Sequence, residues 1–176
     1  MINRKFIPVN IAVLTVSDTR THEDDRSGDV LAKYINDSGH FLKNREILKD
    51  DRAIISSKLT EWCKRDDIDV VITTGGTGLT GRDVSVEAHR DIYEKEIDAF
   101  ATMFTIISMK KIGTSAVQSR ACAGVAFGTY LFALPGSPAA CKDGWEEILK
   151  YQLDYTHKPC NFVEIMPRLD EDKKRK

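Results

Sequence analysis

Short apolar runs alternating with longer amphipathic stretches constrain this chain more than any other feature. Asn10–Val16 is rich in β-branched residues and too short for a helix, so it reads as a buried strand. Residues 41–48 and 130–134 read the same way. Residues 69–74 carry Val70-Val71-Ile72 with no polar alternation, the pattern of a strand covered on both faces and therefore of a parallel sheet. Between the runs lie helical periods. Residues 27–38 place Val30, Leu31, Tyr34 and Ile35 on one face and end at Gly39, while residues 51–65 align Ile54, Ile55, Leu59, Trp62 and Cys63. Further helices are expected over 85–95, over 98–110 with Phe100, Met103, Phe104, Ile106 and Ile107, and over 139–151 with Trp145, Ile148 and Leu149. Strand-helix alternation with short connections predicts an open, mostly parallel α/β sheet with helices on both faces.

No internal repeat or linker divides the chain, so a single domain is expected over residues 6–163, followed by a charged tail over 164–176. At 176 residues and 41% hydrophobic, the chain has the material for one core; a chain of this size buries roughly 70% of the surface it exposes when unfolded. The 26 basic and 27 acidic side chains leave a formal charge of -1, which argues against a nucleic-acid partner. No segment has the length of a membrane span, and Pro8 and Asn10 interrupt the one stretch, after Asn3-Arg4-Lys5, that resembles a secretory leader. Cys63, Cys122, Cys141 and Cys160 form no CxxC pair, which fits reduced thiols in a cytoplasmic protein. The basic end Lys173-Lys174-Arg175-Lys176 reads as a frayed, solvated terminus.

Ligands of open α/β sheets bind beyond the carboxyl ends of the strands, and two loops stand out there. The first runs Thr74, Gly75, Gly76, Thr77, Gly78, Leu79, Thr80, Gly81, Arg82, Asp83. Three glycines in four positions let successive backbone N–H groups converge on an anion, with threonine hydroxyls as further donors. A tight turn alone would also use these glycines. Gly76, Gly78 and Gly81 formally satisfy GxGxxG, but they follow the third strand and lack a downstream acidic ribose ligand, so a nicotinamide-dinucleotide site ranks last. The second loop, Pro135, Gly136, Ser137, Pro138, opens a helix and suits either an anion site or an ordinary N-cap turn. Asp18, Asp50 and Asp83 each follow a strand or its loop, where carboxylates near phosphates hold Mg²⁺ or orient a nucleophile. His22-Glu23-Asp24-Asp25 reads as acids preceding a helix rather than as a metal cluster, and the four histidines show no ligand spacing.

Val16-Ser17-Asp18, the acidic turn with Ser27-Gly28, the loop from Thr73 to Asp83, Ser119-Arg120 and the turn from Leu134 to Ser137 together resemble the MoaB/MogA family of molybdenum cofactor biosynthesis. Gly113-Thr114-Ser115, Gln118-Ser119-Arg120-Ala121 and Pro159-Cys160-Asn161-Phe162 are more similar to its MoaB branch. The resemblance covers nearly the whole chain. It implies a three-layer α/β/α fold with a molybdopterin-binding-like sheet, assembled as a homotrimer or homohexamer. It also implies adenylylation of molybdopterin by ATP with Mg²⁺, or, in a non-catalytic paralogue, molybdopterin binding or carriage alone. On that resemblance Asp50 and Asp83 are the catalytic and metal-holding acids. Ser17, Asp18, Thr74, Gly75, Gly76, Thr77, Gly78, Ser119, Arg120, Pro135, Gly136 and Ser137 would contact nucleotide or pterin. Lys49 stands where the MogA-like pattern has Pro, and Ser85-Val86 replaces its Thr-Pro.

Overall fold

The computed structural model describes residues 4–174, so Asn3 of the leader-like stretch and Arg175 and Lys176 of the basic end lie outside the described residues. Six strands form one sheet: β1 (Asn10–Val16), β2 (Phe41–Leu48), β3 (Val70–Thr74), β4 (Lys95–Glu96), β5 (Cys122–Ala126) and β6 (Thr129–Leu134). Their order is β2-β1-β3-β6-β5-β4. β1 pairs in parallel with β2 and β3, and β3 with β6, whereas β5 runs antiparallel to both β6 and β4. The sheet is mostly parallel, as expected.

The helices are α1 (Arg26–Asp37), α2 (Arg52–Cys63), α3 (Ser85–Arg90), α4 (Asp98–Ile112) and α5 (Pro138–Gly144), which continues through a π-helical turn (Trp145–Leu149) into α6 (Lys150–Gln152); α7 (Phe162–Ile165) and α8 (Glu171–Lys174) close the chain. Strand alternation sorts β1 onto two cores. Ile11 and Val13 pack with Leu31, Ile35, Phe104 and Trp145 on one face, while Ala12 and Leu14 pack with Ile55, Leu59 and Trp62 on the other. Two helical layers therefore sandwich the sheet. Asp25, Asp51 and Ser137 cap α1, α2 and α5 by accepting from Gly28, Ile54 and Ala140 N–H groups, so of the acids before α1 it is Asp25 that serves as the cap.

Several local expectations are corrected. The helix expected over 85–95 stops at Arg90. Beyond it the chain turns so that Lys95 and Glu96 can pair with Val125 and Gly124, a tertiary demand that overrides local helical period. β5 itself was not anticipated. Gly124 lies in it because the Tyr93 ring occupies the space a Cβ would need. Ile54, Met103 and Ile106 belong to the expected helices yet are exposed, whereas Cys63 is buried as read. The chain end is less detached than its charge suggests: Leu169 packs against the core and Lys173 pairs with Glu94.

Candidate functional site

The carboxyl ends of β1, β3 and β6 lie side by side, and their loops meet. Gly75 N–H donates to Leu134 O at 3.0 Å, and Thr74 Oγ1 donates to Pro135 O at 3.1 Å. A Cβ on Gly136 would come within 3.0 Å of Gly75 Cα, so the two glycine turns touch. Gly75 and Gly76 have φ of +99° and +64°, a left-handed pair that L side chains resist. α3 fixes this conformation. Buried Ser85 donates its hydroxyl to Gly75 O at 2.7 Å and its N–H to Gly76 O at 2.8 Å. Carbonyl and N–H of one planar peptide point opposite ways, so the Gly76 and Thr77 N–H groups face away from α3. Two consecutive donors on one side make the beginning of an anion nest.

Three carboxylates stand beside it in different electrostatic states. Asp83 accepts from Thr80 Oγ1 at 2.6 Å and Thr80 N at 2.9 Å, bonds that hold its pKa below the ordinary value. Asp18 takes a two-point ion pair from Arg82, at 2.9 and 2.8 Å, which lowers its pKa. Asp50 behaves oppositely: partial burial, then the neighbouring charges of Asp18 and Asp83, raise its pKa. It has no salt bridge among the described residues, although Oδ1 lies only 2.8 Å from where a Gly76 Cβ would be. A partly desolvated, repelled carboxylate is a place where a cation would relieve charge.

Arg120 comes to this edge because β5 is antiparallel, so residues preceding it emerge where the parallel strands end. Its Nε donates to Thr77 O at 2.9 Å and Gly78 O at 3.0 Å, and its guanidinium pairs with Glu87. Arg120 thus clamps the glycine loop to α3. Ser119 beside it is half-buried. Ser17 Oγ accepts from the N–H groups of Thr19 and Arg20, and Ser137 Oγ from Ala140, so both hydroxyls already serve the turns they sit in.

Arg20 and Glu87 were not among the residues singled out from sequence. Arg20 donates to Gly136 O at 2.9 Å and to Ser27 Oγ, tying the loop after β1 to the loop after β6. Behind it Asp25, fully buried, accepts from Thr15, Gly28 N–H and Arg45. Burial pushes the Asp25 pKa up, but these partners outweigh it and hold it below the ordinary value. No local pattern marks either residue, since Arg20 reaches 116 positions and Glu87 pairs 33 positions away. His89, which the lack of ligand spacing marked as a surface or helix residue, lies on α3 but is fully buried, with Nε2 2.8 Å from Thr73 Oγ1 and its pKa pushed down to about 3 by burial.

The family model described as "Probable molybdopterin binding domain" matches residues 12–155. The Molybdenum cofactor biosynthesis protein B of Escherichia coli is 44% identical over 161 residues, 92% of this chain and 95% of that protein. The chain belongs to the MoaB/MogA family. The protein B of Staphylococcus epidermidis is 39% identical over 84% of this chain and 86% of its own length. Among solved structures, a Molybdenum cofactor biosynthesis protein B superposes with a TM-score of 0.86 at 34% identity, covering 96% of this chain and 99% of that one. The tungsten cofactor synthesizing protein MoaB of Pyrococcus furiosus gives 0.72 at 33% identity, over 81% of this chain and 91% of that one. The three-layer MoaB/MogA architecture is therefore the fold of this chain.

Proposed function

We propose that the chain binds molybdopterin and adenylylates it with ATP and Mg²⁺, releasing pyrophosphate. The observation that carries this reading is the contact of the Gly75-Gly76 turn with Gly136 beside Asp50 and Asp83. Gly76 and Thr77 would hold nucleotide phosphate through backbone donors, with Gly75 and Gly78 shaping the turn on either side, their own N–H groups committed to Leu134 O and Asp83, and Thr74, Pro135, Gly136 and Ser137 as the facing wall. Ser119 and Arg120 would meet the pterin phosphate, and Ser17 and Asp18 would line the mouth. In the transfer, an oxygen of the pterin's terminal phosphate forms a bond to the α-phosphorus of ATP while the bond to the β-phosphate oxygen breaks. Pyrophosphate departs with that electron pair. The protein's work in such a step is positioning and charge neutralisation.

The donor set suits magnesium. Asp50 and Asp83 offer hard oxygens, and no group of three or more acidic, His or Cys residues forms a closed metal cage among the described residues. Mg²⁺ commonly takes one or two carboxylates and completes its shell with water and substrate phosphate. When bound it would neutralise the charge that develops on the phosphate oxygens. The raised pKa of Asp50 is the feature that such a cation would reverse.

We further propose a homo-oligomer, a trimer or hexamer. Met103, Ile106, Met109 and Ile112 of α4 and the following Val117 are exposed, with Val117 at 80%, an apolar stripe of the kind that subunit contacts cover. A cytoplasmic setting is consistent with the free cysteines, and no helix among the described residues is long and apolar enough to cross a membrane. The test is incubation with molybdopterin, α-labelled ATP and Mg²⁺. Label appearing on the pterin supports transfer; pterin retained by the protein without label would make the chain a carrier instead.

A further inference from the structure

On the far side of Asp18 from the glycine loop lies a second cleft of about 320 Å³, at the carboxyl ends of β1 and β2. Arg20, His22 and Lys49 line it over a floor of Ile47 and Leu48, and Asp18 forms the wall shared with the main crevice. The charges in and around this cleft are unevenly committed. Arg82 takes both Asp18 oxygens, and Asp24 turns its Oδ1 onto the Thr21 N–H and hydroxyl. Arg20 spends its two terminal nitrogens on Ser27 Oγ and Gly136 O and faces Asp25, itself paired with Arg45 at 2.8 Å, at 3.8 Å, so its charge is only partly balanced and its donors are taken. Lys49 is exposed and forms no salt bridge among the described residues. It also stands one residue before Asp50, whose N–H donates to Asp18 Oδ1 at 3.3 Å, so backbone links the cleft directly to the carboxylates.

A cleft with spare positive charge, sharing one wall with a phosphate nest, fits an anion that extends from that nest. We propose that it is the subsite for the β- and γ-phosphates of ATP and for the pyrophosphate they become. Lys49 contributes an exposed ammonium that can contact the diphosphate directly, and Arg20, held in place by Gly136 O and Ser27 Oγ, adds a fixed positive charge at the cleft wall. Lys49 and Arg20 are specificity residues here. They distinguish a nucleoside triphosphate from a monophosphate, which has nothing to place in the cleft. This assignment rests on the adenylyl-transfer reading for its biological meaning, but binding of the diphosphate does not require turnover.

The experiment is calorimetric titration of the full chain with magnesium pyrophosphate, inorganic phosphate and AMP, for the wild type and for Lys49→Gln. Pyrophosphate should bind the wild type more tightly than inorganic phosphate. Lys49→Gln should weaken pyrophosphate about tenfold, the size of one charge-assisted contact, and leave AMP affinity unchanged. Lys49→Arg should restore most of the loss. Equal pyrophosphate affinity in wild type and Lys49→Gln, no pyrophosphate binding at millimolar concentration, or equal loss for AMP and pyrophosphate would each overturn the subsite. The separate adenylylation assay decides the other question. Lys49-dependent pyrophosphate binding in a chain that transfers no label keeps the subsite and removes the transferase reading; transfer with a KM for ATP indifferent to Lys49→Gln removes the subsite and keeps the transferase.

Discussion

Gly75 and Gly81 sit in one glycine-rich loop, yet the structure assigns them opposite sensitivities. At Gly75 φ is +99°, and an added Cβ would lie well under 3.0 Å from the Val16 carbonyl oxygen, a backbone atom that cannot rotate away. At Gly81 φ is ordinary and nothing lies within 4 Å. For Gly75→Ala, the left-handed conformation costs about 1–2 kcal/mol. Separating β1 from the loop adds a comparable strain, giving about 3 kcal/mol in all. For a domain of this size that lowers Tm by roughly 6–12 °C. Gly81→Ala should stay within about 0.5 kcal/mol of wild type. Gly136→Ala, whose Cβ would meet Gly75 Cα at 3.0 Å, should fall between them. Denaturant unfolding measures all three, and calorimetry with an ATP analogue should show nucleotide binding lost in Gly75→Ala and retained in Gly81→Ala. Equal stability and equal nucleotide affinity for the Gly75 and Gly81 variants would refute the reasoning.

Asp25→Ala would strip a fully buried carboxylate from Arg45 and leave the Gly28 N–H and Thr15 hydroxyl unpaired; unfolding should show a loss of about 3 kcal/mol, at the low end for a broken buried pair because Arg45 retains some solvent. Since the folded-state pKa of Asp25 is depressed, its stabilisation is present above the unfolded carboxylate pKa and disappears as pH falls through the folded value, so the variant's deficit should shrink in acid. Asp50 has the opposite sign: its raised folded pKa favours folding below the unfolded value and that advantage is lost as pH rises through the folded pKa. Asp50→Asn should therefore unfold at a higher denaturant concentration than wild type at neutral pH, with the difference vanishing in acid, while losing metal-dependent nucleotide binding. Asp83→Asn should keep the fold by circular dichroism but reduce adenylyl transfer about a hundredfold, because the Thr80 bonds hold this carboxylate in place as a positioned charge.

Much of this arrangement was legible from residue pattern. The unbroken apolar run at 70–72 marked a central parallel strand, and the glycine density after it marked a place where backbone must approach something closely. Pairing was harder to read. β5 is Cys-Ala-Gly-Val-Ala, small residues without the bulky alternation that signals a strand, because Tyr93 and its neighbours on adjoining elements fill the space instead. Missing β5 hid why Arg120 reaches the glycine loop, since only its antiparallel direction brings residue 120 to the carboxyl edge. Arg20 and Glu87 were missed for a similar reason: each acts across loops distant in sequence, and an isolated Arg or Glu carries no period or spacing that points to its partner. Asp18 and Asp50 do follow strands closely and Asp83 closes the loop after β3, as read, but their differing charge states follow from Arg82, Thr80 and partial burial, which composition does not reveal.

A crystal structure of the chain with Mg²⁺ and a non-hydrolysable ATP analogue tests the crevice most directly. Density should place nucleotide phosphate on the Gly76 and Thr77 N–H groups with the cation at Asp50 and Asp83. Nucleotide bound elsewhere, for instance between α1 and α5 against Val30 and Tyr34, with Asp50 and Asp83 left in their unliganded positions, would contradict it.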